Sequence, residues 1–483
     1  MNIGMGLRLL ETLTSALYED PIVFFREYVQ NSVDAFIRSS ESEDFQVRIS
    51  IDKESRTILF HDNGFGIETD AFLEKMTSIG KSDKNGAVDQ IGFRGIGRLS
   101  AMPFCDCLVF KNKTRGNNVV QEFSWNGKKY NKLLAKSETD DLEKAISEIT
   151  TNGTEPFDGN TKDHFFEVVI ENYSDEIAEM IEKDDFSNRL CCLLPLKYNP
   201  AFSAQNEIHK HYLDFMGSDL QKYEFQVFLN GEELFKPYTN DHILESDIVF
   251  WELSFNKENN ALPQEKMGLL WFTFNRKVTA NPVNTPRGLF VRSKNMLMGN
   301  ENSIADAVTK GVGEYVATYR ELTQTINGIY GELLIDTSRL SDNARRDWFR
   351  IDDASNQLRC ILTDYLKKLK DYRYAASKAF NDTQAKQKRE KVTQAYNALT
   401  GGFDSKRFES EFYDSIASNP PSTKKSSFIY AEDDIPRHPI NTKKIYEEIL
   451  ITLKDYYVSS GEDGIEEFIK VRTHLKQHFN KAD

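Results

Sequence analysis

The sequence predicts an α+β protein of several domains, and three observations carry that prediction. From Leu7 to Ser40 apolar residues recur at helical spacing. Between Phe45 and Met298 the chain is dominated by alternating, strand-like runs cut by glycine and asparagine turns. From about Asp352 the pattern becomes helical and polar. At 483 residues the chain exceeds what one hydrophobic core serves, so about two to four domains are expected.

The helical stretch is broken at Tyr18-Glu19-Asp20-Pro21, where Pro21 suits the first turn of a second helix. Phe45 to Phe60 then alternates as strands around a turn at Glu54-Ser55 and runs into Asp62-Asn63-Gly64-Phe65-Gly66-Ile67. Gly80 to Gly97 holds five glycines among mixed charges, the composition of a loop. Strand-like runs resume at Cys107–Lys111, Val119–Ser124 and Phe165–Ile170, and a charged helical stretch at Glu176–Asp185 precedes a turn between Pro195 and Pro200. These divisions place a first domain at 1–200. A strand-rich middle domain is expected at 215–350, with an Asn230-Gly231 hairpin inside Tyr223–Phe235 and strands within Ile248–Phe274 and Gly288–Met298. A helical region of unassigned role fills 351–483, with a linker-like Pro420–Ser427 and an amphipathic Lys443–Phe479.

Composition narrows the function. A chain 39% apolar and 28% charged is ordinary for folded protein, and a net charge of −14 disfavours broad affinity for nucleic acid. Five scattered cysteines make no disulfide framework; Cys105 and Cys107, and the adjacent Cys191 and Cys192, lack partners at zinc spacing. No apolar run reaches the length of a membrane span and Met1–Leu10 has no signal pattern, so a cytoplasmic location and no membrane partner are expected.

Three segments carry chemistry. In Arg26-Glu27-Tyr28-Val29-Gln30-Asn31-Ser32-Val33-Asp34, the residues Glu27, Asn31 and Asp34 fall on one helical face, opposite Phe25, Val29, Val33 and Phe36. A general base beside an oxygen ligand for magnesium has this form; so does an amphipathic helix with a solvated polar face. In Asp62-x-Gly64-x-Gly66 the glycines permit close approach to a flat ligand, and the carboxylate can accept from an exocyclic amine; the same turn also ends hairpins. Gly92-Phe93-Arg94-Gly95-Ile96-Gly97 opens into an apparent helix, where backbone N–H groups suit phosphate oxygens.

Their order within about seventy residues resembles the GHKL superfamily of ATPases, the fold shared by gyrase, the ninety-kilodalton heat-shock chaperones, histidine kinases and MutL. The chaperone, HtpG-like branch is most similar, through Leu9-Leu10, Leu17-Tyr18, Phe24-Phe25-Arg26-Glu27, Asn31, Asp34-Ala35 and Asp62-Asn63-Gly64. The resemblance implies a Bergerat-type α/β sandwich in which Glu27 activates the attacking water, Asn31 holds Mg2+ and Asp62 binds the adenine amine of ATP. It further implies that Asp34, Gly64, Gly66 and Met76 shape the adenine pocket, that Lys81 reaches the phosphates, and that Gly92, Arg94, Gly95 and Gly97 wrap the triphosphate. A pocket-closing threonine is also implied, and Thr154, in the expected Gly-Thr dipeptide, and Thr161, nearer the strand His164–Ile170, both stand open for it. Gly288-Leu289-Phe290-Val291-Arg292 and Leu340-Ser341-Asp342-Asn343-Ala344-Arg345-Arg346-Asp347 resemble the chaperones' middle domain, which makes Arg346, with Arg345 beside it, the candidate for reaching the γ-phosphate; a surface salt-bridging pair is the other reading.

The implied function is magnesium-dependent ATP hydrolysis that closes the Gly80–Gly97 loop, pairs two chains through Leu7–Leu17 and remodels a protein client. A MutL-like nucleic-acid clamp, using the basic Lys386–Lys391, and a nucleotide-sensing scaffold with little turnover are the alternatives.

Overall fold

The computed structural model of the chain describes residues 20–39, 44–78, 97–136, 142–240, 248–255, 265–274, 287–309, 319–343 and 346–381. Their architecture is mixed α+β, built on two sheets. The first unit comprises α1 (Val23–Ser39), β1 (Gln46–Asp52), β2 (Thr57–Asp62), α2 (Thr69–Thr77), β3 (Cys105–Lys113), β4 (Val119–Asn126), α3 (Gly127–Lys136), α4 (Leu142–Ile149), β5 (Thr150–Pro156), β6 (Phe165–Tyr173), α5 (Asp175–Glu182) and α6 (Phe186–Leu193). A further helix, α7 (Gln205–Met216), precedes the short strands β7 (Gln226–Leu229) and β8 (Glu232–Glu233).

The first sheet runs β5-β4-β3-β6-β2-β1-β7-β8 and is antiparallel except where β1 meets β7. Strand alternation fixes what each face carries. On β2 it buries Ile58, Phe60 and Asp62 on the side covered by α1, so the carboxylate that ends the strand is delivered inward with the core residues. Phe24, Phe25, Tyr28, Val29 and Val33 of α1 fill that core, and the rings of Phe25 and Tyr28 meet Phe60 at 5.3 and 5.1 Å. The β1–β2 turn forms at the expected place, with Asp52 accepting from the backbone of Glu54 and Ser55. Asn230 and Gly231 both have positive φ, as a tight hairpin requires, but their hairpin belongs to the first sheet: Asn230 Oδ1 accepts from Ile51 N at 2.8 Å. The first sheet therefore extends past residue 200, the boundary expected from the turn at Pro195–Pro200. Helices α3 and α4 and strand β5 had no clear sequence signal.

The second unit contains β9 (Val249–Ser254), β10 (Lys266–Phe274), β11 (Gly288–Ser293), β12 (Met296–Met298), α8 (Ser303–Thr309), α9 (Tyr319–Ile326), β13 (Ile329–Ile335) and α10 (Asp353–Asn381). Its sheet runs β12-β11-β13-β10-β9, with β11 and β13 parallel. Helices α8, α9 and α10 supply one core, through Ile304, Leu322, Leu358, Leu362 and Leu366. On the other face, Ile208 and Tyr212 of α7 pack with Tyr198, Phe202, Trp271 and Tyr330.

The two units share packed surface. Phe290, Met296 and Leu297 of the second sheet lie in the core of the first. Beside them Glu332 is fully buried and accepts from Arg292 Nε, from Lys236 Nζ at 3.0 Å and from Tyr198 Oη at 2.6 Å. Arg292 Nη2 continues to Cys192 O at 2.9 Å, and Asn295 Nδ2 donates to Leu196 O and Tyr223 O. Burial alone would raise the Glu332 carboxyl, but Arg292 and Lys236 outweigh it and hold its pKa at about 2. Removing the carboxylate strands two buried cations. Glu332→Ala is expected to cost about 3–5 kcal/mol in urea unfolding of the full chain; a loss below about 1 kcal/mol would show that the cluster does not hold the junction.

Candidate nucleotide site

Helix α1 is set by the residues in front of it. Asp20 Oδ1 accepts from Ile22 N at 3.1 Å, and Val23 N donates to Asp20 O, so Pro21 lies in the lead-in turn rather than in the helix itself. The helix is enclosed on its polar side as well. Arg26, Glu27, Gln30 and Asp34 are all buried, while Asn31 and Ser32 are half-buried. The solvated-face reading of Glu27 and Asp34 is thereby corrected: a buried carboxylate must be paired, and its partners define the site.

Glu27, 3% exposed, accepts through Oε1 from Arg26 Nη2 at 3.3 Å and from Arg346 Nη1 at 2.9 Å. Its Oε2 lies against Gly97, where even a methyl group would overlap it. Arg346 also donates to Gln30 Oε1. Its backbone has φ of 55°, held by a bond from Arg346 N to Asn343 O at 3.3 Å and one from Gly299 N to Arg346 O at 2.9 Å. The arginine is thus presented by a turn of the second unit and engages α1 of the first, which excludes its surface-pair reading.

Asp62, at the end of β2, meets the same helix five residues beyond Glu27: Ser32 Oγ donates to its Oδ2 at 2.5 Å, and Gly64 N donates to Oδ1 at 3.0 Å. Burial pushes the Asp62 carboxyl up to about 6, against the opposing pull of those two donors. Gly66 has φ of 70°, and a side chain there would strike Asn112. Asn112 acts as a splint for this turn, since Oδ1 accepts from Ile67 N at 2.8 Å and Nδ2 donates to Ile67 O at 2.7 Å. His164 Nδ1 donates to Gly64 O at 3.0 Å, and its ring stacks on Phe65. Met76 of α2 is buried in the same core.

Two groups of expected residues are therefore brought together through α1: Glu27, Gly97 and Arg346 at one end, and Asp62, Gly64 and Gly66 at the other. Asn31 and Asp34 lie on the helix between and beyond them. Thr154 is not brought in. It is exposed on the edge strand β5, separated from β2 by β4, β3 and β6. Thr161 is also exposed, and its carbonyl accepts from Gly116 N at 2.7 Å. Lys81, Gly92, Arg94, Gly95, Arg345 and the Leu7–Leu17 segment lie outside the described residues, as do residues 382–483. The described residues flanking 79–96 are linked, because Arg98 Nη2 donates to Ser78 O and Tyr28 Oη donates to Arg98 O.

Sequence reasoning missed Gln30, Ser32, Arg98, Asn112 and His164. Only Gln30 and Ser32 had a signal, their place inside the Glu27–Asp34 helix; the others act through contacts between distant segments. No group of three or more His, Cys, Asp or Glu side chains able to hold a metal occurs among the described residues. A single amide at Asn31 would suit only a magnesium that keeps most of its ligands as water and nucleotide oxygens.

Residues 23–155 match the family model of histidine kinase-, DNA gyrase B-, and HSP90-like ATPases. The chain is 29% identical over 198 residues to the chaperone protein HtpG of Pectobacterium atrosepticum, covering 36% of this chain and 31% of that one. It is 27% identical over 199 residues to HtpG of an Enterobacter species, again covering 36% and 31%. With HtpG of Pseudoalteromonas translucida it shares 32% identity over 142 residues, 25% and 22% of the two chains. The chain thus spans about a third or less of the curated relatives it matches. Among the described residues no helix is long and apolar enough to cross a membrane. Together with the buried carboxylates and glycine turns along α1, these matches make residues 23–155 similar to the histidine kinase-, DNA gyrase B-, and HSP90-like ATPases, with chaperone proteins HtpG among the relatives the chain resembles.

Proposed function

We propose that the chain is a magnesium-dependent ATPase whose turnover drives a conformational cycle acting on a protein partner. The observation that carries this reading is the engagement of Glu27 by Arg346, because it places a cation from the second unit at the carboxylate expected to handle the attacking water. A cation introduced in this way can respond to the terminal phosphate and couple hydrolysis to the position of the second unit.

In the proposed reaction, Asp62 accepts from the adenine amine, and the Gly64–Gly66 turn lies close to the base because neither residue carries a side chain. Asn31 would hold magnesium, which would neutralise phosphate charge when bound. The oxygen of a water molecule forms a bond to the γ-phosphorus as the bond to the bridging oxygen breaks, whose electron pair leaves with ADP. The water's proton goes to Glu27. Oε1 is held by two guanidinium groups, so Oε2, on the Gly97 side, is the acceptor. Arg346 then exchanges contact with Glu27 for contact with the phosphoryl oxygens. Remodelling of a protein client and ATP-dependent pairing of two chains are the outputs proposed by analogy with the chaperone relatives.

Glu27→Ala is expected to bind ATP within about threefold of the parent chain while hydrolysing it roughly a hundredfold more slowly. Calorimetry with coupled phosphate release separates the two, and loss of ATP binding would make Glu27 structural. Adenine recognition should also titrate. With Asp62 at about 6, only about a tenth of the molecules carry its carboxylate at pH 5, so nucleotide affinity should be about tenfold weaker there than at pH 7.5. Asp62→Asn, which removes the titrating group, separates this effect from the nucleotide's own protonation; an equal pH response in both proteins would take Asp62 out of the pocket.

A further inference from the structure

Gln30 sits one helical turn from Glu27 and is 1% exposed, yet only one half of its amide is satisfied. Oε1 accepts from Arg346 Nη1, whereas Nε2 is buried without a hydrogen-bond partner. The orientation of this amide is not arbitrary. A guanidinium has no acceptor, so the oxygen must face Arg346 and the NH2 group must point elsewhere. An orphaned buried donor costs about 1–3 kcal/mol, and a residue that needed only to fill space would be apolar. The donor is unused by the protein while its own amide oxygen touches the arginine at the hydrolytic carboxylate. An acceptor entering this end of the site would satisfy it.

Building on the ATPase reading above, we propose that Gln30 is a further residue of the hydrolytic centre: its carbonyl seats Arg346, and its amide NH2 donates to an oxygen of the terminal phosphoryl group of ATP. The two halves of one side chain then link the position of the second unit to the presence of the phosphate. Seating explains why the arginine bridges two side chains of α1 rather than Glu27 alone. Donation explains why a glutamine stands there, since a glutamate would seat the arginine as well but would repel phosphate.

The two roles are separated by two substitutions in the full chain. Gln30→Glu keeps an acceptor for Arg346 and removes the donor; Gln30→Met keeps the volume and helix propensity and removes both. Both variants should bind ADP within about twofold of the parent, bind ATP more weakly relative to ADP, and hydrolyse ATP about a hundredfold more slowly. Turnover by Gln30→Glu within about twofold of the parent would overturn donation. So would an unchanged ATP-to-ADP affinity ratio in Gln30→Met. An equal loss of ADP binding, with a lowered melting temperature in both variants, would reduce Gln30 to a structural role. Parent chain that binds ATP and never hydrolyses it would overturn the ATPase reading as well, whereas active parent with near-parental Gln30→Glu overturns this proposal alone.

Discussion

Arg346 reaches Glu27 across 319 positions of sequence, and the proposed coupling of hydrolysis to the second unit depends on that reach. A buried carboxylate without a cation would be strongly disfavoured; Arg26 of the same helix pairs with Glu27 at 3.3 Å, and Arg346 adds a second, closer cation from the second unit at 2.9 Å. The consequence is structural and functional at once. The same contact that satisfies Glu27 depends on the second unit being seated, and in the proposed reaction a terminal phosphate would compete for the same guanidinium.

Such a contact demands that the turn around Arg346 be held in place, and the junction between the two units does this with buried charge as well as apolar packing. Glu332 gathers Arg292, Lys236 and Tyr198 on one side of the second sheet, and Arg292 and Asn295 extend the network to the backbone at Cys192, Leu196 and Tyr223. Buried networks of this kind are sensitive to geometry, because each member that loses its partner becomes costly. The junction thereby favours one relative placement of the units and leaves the Arg346 turn, anchored on Asn343 and Gly299, aimed at α1.

The parts of the fold that were legible are those whose information is local. Helical periodicity marked α1, alternation marked β1, β2, β3 and β6, and Asn230-Gly231 marked its hairpin, because each reflects burial or φ within a few residues. Which sheet that hairpin joins was not local, since it is set by β7 pairing with β1. Site residues divide in the same way. Glu27, Asp62, Gly64, Gly66 and Gly97 stand in short motifs, whereas Asn112 and His164 matter through contacts to Ile67 and Gly64 that sequence spacing does not encode. Thr154 shows the reverse failure: the dipeptide was right in type but lies on an exposed edge strand. Gln30 was inside a recognised motif and was passed over because an amide between two carboxylates reads as ordinary helix surface.

The central claim is that hydrolysis requires a cation contributed by the second unit, and Arg346→Ala tests it most directly. Measured on the full chain, ATP affinity should stay within about threefold of the parent while the steady-state and single-turnover hydrolysis rates fall by a factor on the order of a hundred or more. Hydrolysis at the parental rate, with ATP bound normally, would contradict the account and leave Arg346 as no more than a structural partner of Glu27.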